Sequence, residues 1–271
     1  MNLLVMSLVL MFRTDSRGSA ATINRWVAEN TNDKVKEIVP ESAIDDLTRL
    51  ILVNAIYFKG DWLDKFNAKD TKDEDFHVSR NETVRVKMMH RKEENLLHGV
   101  NKELQCQAVE LPYAGDTLSM VIILPDHRVT NLAEVEKKLT SDDLINVGEK
   151  FRMRRSEVHL WLPRFRLDEK LSLSEALSGM GMKDLFVESA ADLSGVDGTK
   201  ELYVSKVLHR AVVDVNEEGT EAAAATACTM VFCCYVEPSI FRADHPFLFF
   251  IQDKATKSIL FLGRLAKPPA A

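Results

Sequence analysis

The chain has 271 residues, 46% of them hydrophobic and 28% charged, with a net charge of −6. That balance supports a sizeable core and excludes a fibre or a disordered chain, and its acidity argues against nucleic acid, which needs a concentrated basic surface. Four cysteines without CxxC spacing (Cys106, Cys228, Cys233 and Cys234) are too few for a disulfide scaffold and lack ordinary metal-ligand spacing.

Residues 3–12 form an apolar run interrupted by Ser7, too short to span a bilayer. Two readings stay open. One is a secretory core segment, with small residues at 19–21 but no basic residues before it; the other is a buried strand at the start of the fold. Residues 20–38 carry Ile23, Trp26, Val27, Val35 and Ile38 at helical spacing, stopped by Pro40. Residues 47–58 are a near-continuous β-rich apolar run, read as a strand covered on both faces and closed by Lys59-Gly60. Asn81-Glu-Thr83 is a glycosylation sequon. Residues 84–89 form another strand candidate. Residues 107–124 read as a hairpin turning at Ala114-Gly115-Asp116.

Further on, 132–147 is an amphipathic helix candidate, 158–167 a strand, 171–182 a helix and 204–215 a strand. The apolar segments 247–252 and 258–265 flank a polar turn. This order of elements predicts an α+β fold with mostly antiparallel sheets, in a single domain over 1–271. Two basic clusters, Arg85/Lys87/Arg91/Lys92 and Arg152/Arg154/Arg155, read as solvated faces, with a sulfated polysaccharide as the second reading. There is no G-x-S-x-G, H-E-x-x-H or P-loop, so an enzyme is not expected.

Residues 216–246 do not read as an ordinary loop. From Ala222 to Val236 there is no charge, glycine or proline. Three readings compete. Alanine propensity and Glu217, Glu218 and Glu221 favour a helix. The β-rich stretch 229–236 favours a buried hairpin arm. The small residues at alternate positions, Thr220, Ala222, Ala224 and Thr226, suit a segment that enters a sheet as a new strand, with Gly219 turning the chain at the entry. Composition does not choose among them.

Asn216-Glu-Glu-Gly-Thr-Glu-Ala-Ala-Ala-Ala-Thr-Ala227 closely resembles the reactive-centre-loop hinge of inhibitory serpins. Leu52-Val-Asn-Ala-Ile-Tyr-Phe-Lys-Gly-Asp-Trp62 resembles the third strand of that family's main sheet. Thr22-Ile-Asn-Arg-Trp-Val27 with Thr31-Asn-Asp-Lys34 resembles the helix lying across it. Leu111-Pro-Tyr113 and residues 118–125 resemble a core hairpin. Leu162-Pro-Arg-Phe165, Asp244-His-Pro-Phe247 and Phe261-Leu-Gly-Arg-Leu265 match later family motifs, in order.

The resemblance implies a large central sheet, further sheets, packed helices and an exposed loop at about 217–240. It implies suicide inhibition of a serine protease, or of a cysteine protease, by insertion of the cleaved loop. The hinge is then Glu217, Glu218, Gly219, Thr220, Glu221, Ala222, Ala223 and Ala224. Family loop spacing places the reactive bond at Cys233–Cys234, with Tyr235 as the alternative, which suits a chymotrypsin-, elastase- or cathepsin-like target. Asn54 and His209 match the polar shutter positions, read as a hydrogen-bonded latch or as satisfied core groups. Trp62 matches the breach, where insertion begins. Secretion with a glycan on Asn81 is expected, an intracellular site being the alternative, and no cofactor or membrane span. The family's first helices and one strand preceding residue 20 have no counterpart here, so an N-terminally truncated fold is expected. The runner-up is a non-inhibitory serpin-like binding protein or an inactive fragment.

Overall fold

In a computed structural model of the chain, residues 16–45, 47–218 and 237–268 are described. The segment 3–12, the hinge from Gly219 through Ala224 and the bond residues Cys233, Cys234 and Tyr235 lie outside them. The strands are β1 (Leu50–Phe58), β2 (Lys72–Ser79), β3 (Glu82–Asn101), β4 (Cys106–Pro112), β5 (Leu118–Pro125) and β6 (Arg154–Pro163). They continue as β7 (Phe165–Ser172), β8 (Val204–Val215), β9 (Ser239–Arg242), β10 (Phe247–Asp253) and β11 (Ile259–Leu265). The helices used below are α1 (Ser16–Asn30), α2 (Leu132–Lys138), α3 (Ser141–Ile145), α4 (Val147–Lys150) and α5 (Ser174–Gly179). The chain forms two compact units, Met1–Lys59 with Leu167–Asp214, and Gly60–Arg166 with Val215–Ala271.

The first unit holds a three-stranded sheet in the order β1-β8-β7. Ala20, Ile23 and Val27 of α1 share a buried cluster with Val35, Ile38, Val39 and Val212, and alternate residues of β1 (Ile51, Val53, Ala55, Tyr57) pack against it. Period-two alternation sends the other β1 side chains to the opposite face, where Leu52 is 43% exposed and Asn54 is exposed. The expectation of a strand covered on both faces is therefore corrected: one face has a packed layer and the other is open.

The expected helix over 20–38 also ends early. Asn32 and Asp33 take positive φ (49° and 58°), a conformation that stops an α-helix and that Asn and Asp tolerate best after glycine. The chain then turns back. Asn24 pins the return segment, accepting from Ile38 N (2.9 Å) and Val39 N (3.0 Å) and donating to Val39 O (2.8 Å). Val35 and Ile38 are thus buried as expected, but from an extended strap.

The second unit holds an eight-stranded sheet in the order β11-β10-β5-β4-β3-β6-β9, with β2 paired to β3. Its ladders are antiparallel except β6–β9. The β4–β5 hairpin forms as read, and Gly115 (φ 84°) and Asp116 (φ 51°) supply its left-handed turn. The helix expected over 132–147 is instead α2, α3 and the start of α4. Asn131 caps α2, and Thr140 with Asp143 forms a reciprocal capping box that starts α3 afresh. The strand expected over 158–167 splits around Arg164 into the end of β6 and the start of β7, and the helix expected over 171–182 shrinks to α5 because β7 extends to Ser172. Cys106 is buried and its thiol is pushed up to about 12 by burial, so it is inert.

Candidate functional site

In the first unit, β1 and β8 lie side by side in parallel, in register from Ile51 opposite Lys206 to Phe58 opposite Val213. Asn54 and His209 are direct register partners across this seam. Neither side chain makes a hydrogen bond among the described residues; Asn54 is exposed and His209 half-buried. The close parallel pairing holds the two strands by backbone bonds alone at this point.

Residues 216–218, which lead from the end of β8 into the expected hinge, belong to the second unit. Trp62 is 2% exposed. It stacks on Tyr113 (centroids 4.6 Å apart, 9° between planes) and meets Phe66 edge-on at 6.3 Å. The backbone around it is tied by Leu63 N to Pro112 O (2.9 Å) and Ala114 N to Asp61 O (2.7 Å). From this socket Trp62 Nε1 donates to Asn216 O at 2.9 Å, so the indole fixes the last residue before the hinge acids. Asn216 Oδ1 in turn accepts from Glu218 N at 3.0 Å, an Asx turn that steers the chain out.

The clamp on Glu217 is the feature that sequence reading missed. Glu217 is buried, and Arg164 clamps it through Nε (3.0 Å) and Nη2 (2.6 and 2.7 Å), while Thr71 Oγ1 donates at 2.7 Å. Burial pushes its carboxyl up, but the Arg164 and Thr71 hydrogen bonds outweigh this and hold it below the usual glutamate range. The three residues are far apart in sequence, so no local pattern points to the clamp. Glu217→Gln is expected to cost about 1–2 kcal/mol, the lower range for a charged hydrogen bond because Arg164 is 49% exposed. A chemical melt of both proteins checks this, and an unchanged midpoint would mean that the clamp carries no energy.

In the first basic cluster three of the four cations lie beside acids, and Lys92 is exposed. Arg85 pairs with Asp75 and Lys87 with Asp73, while Arg91 is 8% exposed beside Glu93. Arg152, Arg154 and Arg155 of the second cluster are exposed. Asn81 is exposed at the β2–β3 turn. Among the described residues no group of His, Cys, Asp and Glu could hold a metal, and no helix is long and apolar enough to cross a membrane.

Three histidines give the protein an acid-sensitive stability. His90, His98 and His209 are each held below the ordinary imidazole value, chiefly by burial. The unfolded chain then binds more protons than the folded one once the pH drops below about 6.5, so stability is full above that value and declines below it. Glu217 and Asp244, both held low, extend the loss below about pH 4.5. A thermal-melting series from pH 8 to 5 is expected to be flat at first and then fall; a midpoint that stays level throughout would contradict the neutral-histidine assignment.

The two sheets, with the Glu217–Arg164–Thr71 clamp that follows β8, define an α+β protein. A family model described as Serpin (serine protease inhibitor) matches residues 7–268, and the chain belongs to that family. It is 49% identical over 250 residues to "Leukocyte elastase inhibitor" of Bos taurus, covering 91% of this chain and 66% of that protein. The protein of that name from Homo sapiens is 44% identical over 260 residues, covering 95% of this chain and 68% of its own. The crystal structure of uncleaved ovalbumin superposes with a TM-score of 0.85 at 33% identity, covering 96% of this chain and 65% of that one. The chain thus spans just under two thirds of the bovine relative's length.

Proposed function

We propose that this chain is a serine protease inhibitor acting by loop insertion. The observation that carries the reading is the small-residue run 220–227, which follows directly on β8, the strand whose neighbour across the seam is β1. The protease serine attacks the loop carbonyl, the peptide C–N bond breaks as the ester forms, and the new amine takes the proton from the protease's base. The freed N-terminal side of the loop then folds back as a strand between β1 and β8, with Thr220, Ala222, Ala224 and Thr226 sharing one face and carrying no bulk or charge into the sheet. Asn54 and His209 would be parted, and Trp62 and the Glu217 clamp would hold the fixed end about which the loop swings.

Relatives named leukocyte elastase inhibitor favour an elastase- or chymotrypsin-like serine protease, with a cysteine protease such as a cathepsin as the wider range. The reactive bond is placed at Cys233–Cys234, with Tyr235 as the alternative. Secretion and a glycan on the exposed Asn81 belong to the same reading, and deglycosylation of the expressed protein would shift its mass. Any sulfated polysaccharide would meet Arg152, Arg154 and Arg155. A three-stranded sheet among the described residues, in the order β1-β8-β7, favours a second reading, in which the sheet cannot accept the loop and the chain is only cleaved, as a substrate or a binding protein.

Incubation with elastase-, chymotrypsin- and cathepsin-type proteases, followed by a denaturing gel, separates the two. A band at the summed mass supports inhibition, and the mass of the released C-terminal peptide locates the bond. Cleavage within 232–236 with no such band would reject it.

A further inference from the structure

We propose that the cavity beside the 91–97 stretch of β3 binds a small zwitterion, a free α-amino acid with a short side chain. β2 pairs with β3 as far as Met88, and β4 pairs with it from Leu97. Between these limits lies a cavity of about 200 Å³, with Arg91 and Glu93 in its lining. The β3–β6 register shifts between Glu93 and Leu96. A bulge of this kind re-aims side chains and often sits beside a site. Asn95 O, within the shifted stretch, accepts from Arg155 Nη1 at 3.0 Å, which fixes a second cation at the cavity wall.

Arg91 is the reason to expect a ligand. Its side chain is 7% exposed, and its guanidinium lies 4.7 Å from the Phe66 ring centroid. Among the described residues its Nε and Nη1 make no hydrogen bond. Glu93 Oε2 stands 3.3 Å from Nε, near enough to attract the charge but not aligned to accept the proton. Burial pushes the guanidinium down and the Glu93 carboxyl up, and each charge only partly offsets this for the other. A buried cation with idle donors is strongly unfavourable, and such a group persists where something accepts from it. An oxyanion is the acceptor that a guanidinium takes best. Yet the walls hold more acid than base: Asp64, Glu93, Glu110 and Asp116 against Arg91, Arg155 and Lys254, with Asp116 and Lys254 paired at 2.5 Å. A phosphate or a bare carboxylate would be repelled by those acids, and a bare amine would leave Arg91 idle. A molecule carrying both charges satisfies both sides. Its carboxylate accepts from Arg91, and its ammonium donates to Glu93, which alternation places on the same face of β3, and to Asp64 at the rim. The cavity equals about seven water molecules' share of liquid volume, which limits the side chain to that of glycine, alanine or serine.

Equilibrium dialysis of the full chain against isotope-labelled glycine, alanine and serine tests this. Saturable binding of one molecule per chain is expected, displaced by the unlabelled amino acid and at least about tenfold less well by acetate or methylamine. Arg91→Met replaces the idle cation by an apolar side chain of similar length and is expected to abolish binding with the melting midpoint retained. Asp64→Asn, at an exposed position, is expected to weaken binding severalfold, the range for an exposed charge pair, and decides the matter if Arg91→Met does not fold. Three results would each overturn the proposal: no saturable binding, displacement by acetate as strong as by glycine (a plain anion site), or binding that neither substitution changes.

Discussion

Trp62→Ala is expected to cost about 3–5 kcal/mol, the range for truncating a buried indole. The side chain is 2% exposed and has three distinct attachments: the Tyr113 stack, the Phe66 edge and the hydrogen bond to Asn216 O. Trp62→Phe separates them. It keeps most of the ring contact but orphans the Asn216 carbonyl, which costs about 1–2 kcal/mol. For a chain of this size the alanine variant should melt lower by roughly 10 °C and the phenylalanine variant by a few degrees. Equilibrium unfolding of the three proteins checks both numbers. A loss below about 1 kcal/mol for Trp62→Ala would mean that the socket at the hinge is not a packed unit.

Under the proposed loop-insertion function, Thr220→Arg is expected to leave cleavage of the loop without inhibition. The outcome of loop cleavage is a race between strand entry and hydrolysis of the acyl-enzyme. A guanidinium at Thr220 would have to enter the sheet without a partner, which costs several kcal/mol, and each 1.36 kcal/mol on the insertion barrier slows it tenfold. Cleavage would proceed at its usual rate and the covalent band would vanish from a denaturing gel. Glu221→Arg is the control: its side chain falls on the other face of an extended strand, so complex formation should survive. Equal loss in both variants, or in neither, would contradict alternate-face burial.

How far the sequence carried depended on where each element finds its partners. β8, β10, β11 and the β4–β5 hairpin were legible because apolar alternation and a glycine turn are local. β7 was not, since an edge strand reading Phe-Arg-Leu-Asp-Glu-Lys-Leu-Ser faces water and shows no buried period. The early stop of α1 was set by backbone conformation at Asn32 and Asp33, and the break before α3 by the Thr140–Asp143 box, a signal that was present but outweighed by the longer apolar pattern. Of the site, Trp62 was singled out through its resemblance to a family, and the expected hinge from Gly219 to Ala224 lies outside the described residues. The Glu217–Arg164–Thr71 clamp could not be found by spacing, because its members come from three distant segments. Asn54 and His209 were singled out through the same resemblance; that they face each other in the β1–β8 register, Asn54 exposed and His209 half-buried, no local pattern reveals.

The central claim is that the β1–β8 seam is the door for the loop, and a lock across it is the most direct test. Neighbouring strands lie about 4.8 Å apart, inside the range a disulfide spans. Asn54→Cys/His209→Cys therefore places two thiols in register on the same face. The cross-link is verified by peptide mass, the unsubstituted chain under the same oxidant is the reference, and complex with an elastase-type protease is read on a denaturing gel. With the seam locked, the protease should cleave the loop and leave no covalent complex, and reductant should restore it. Full complex formation across an intact cross-link would show that the loop does not enter between β1 and β8.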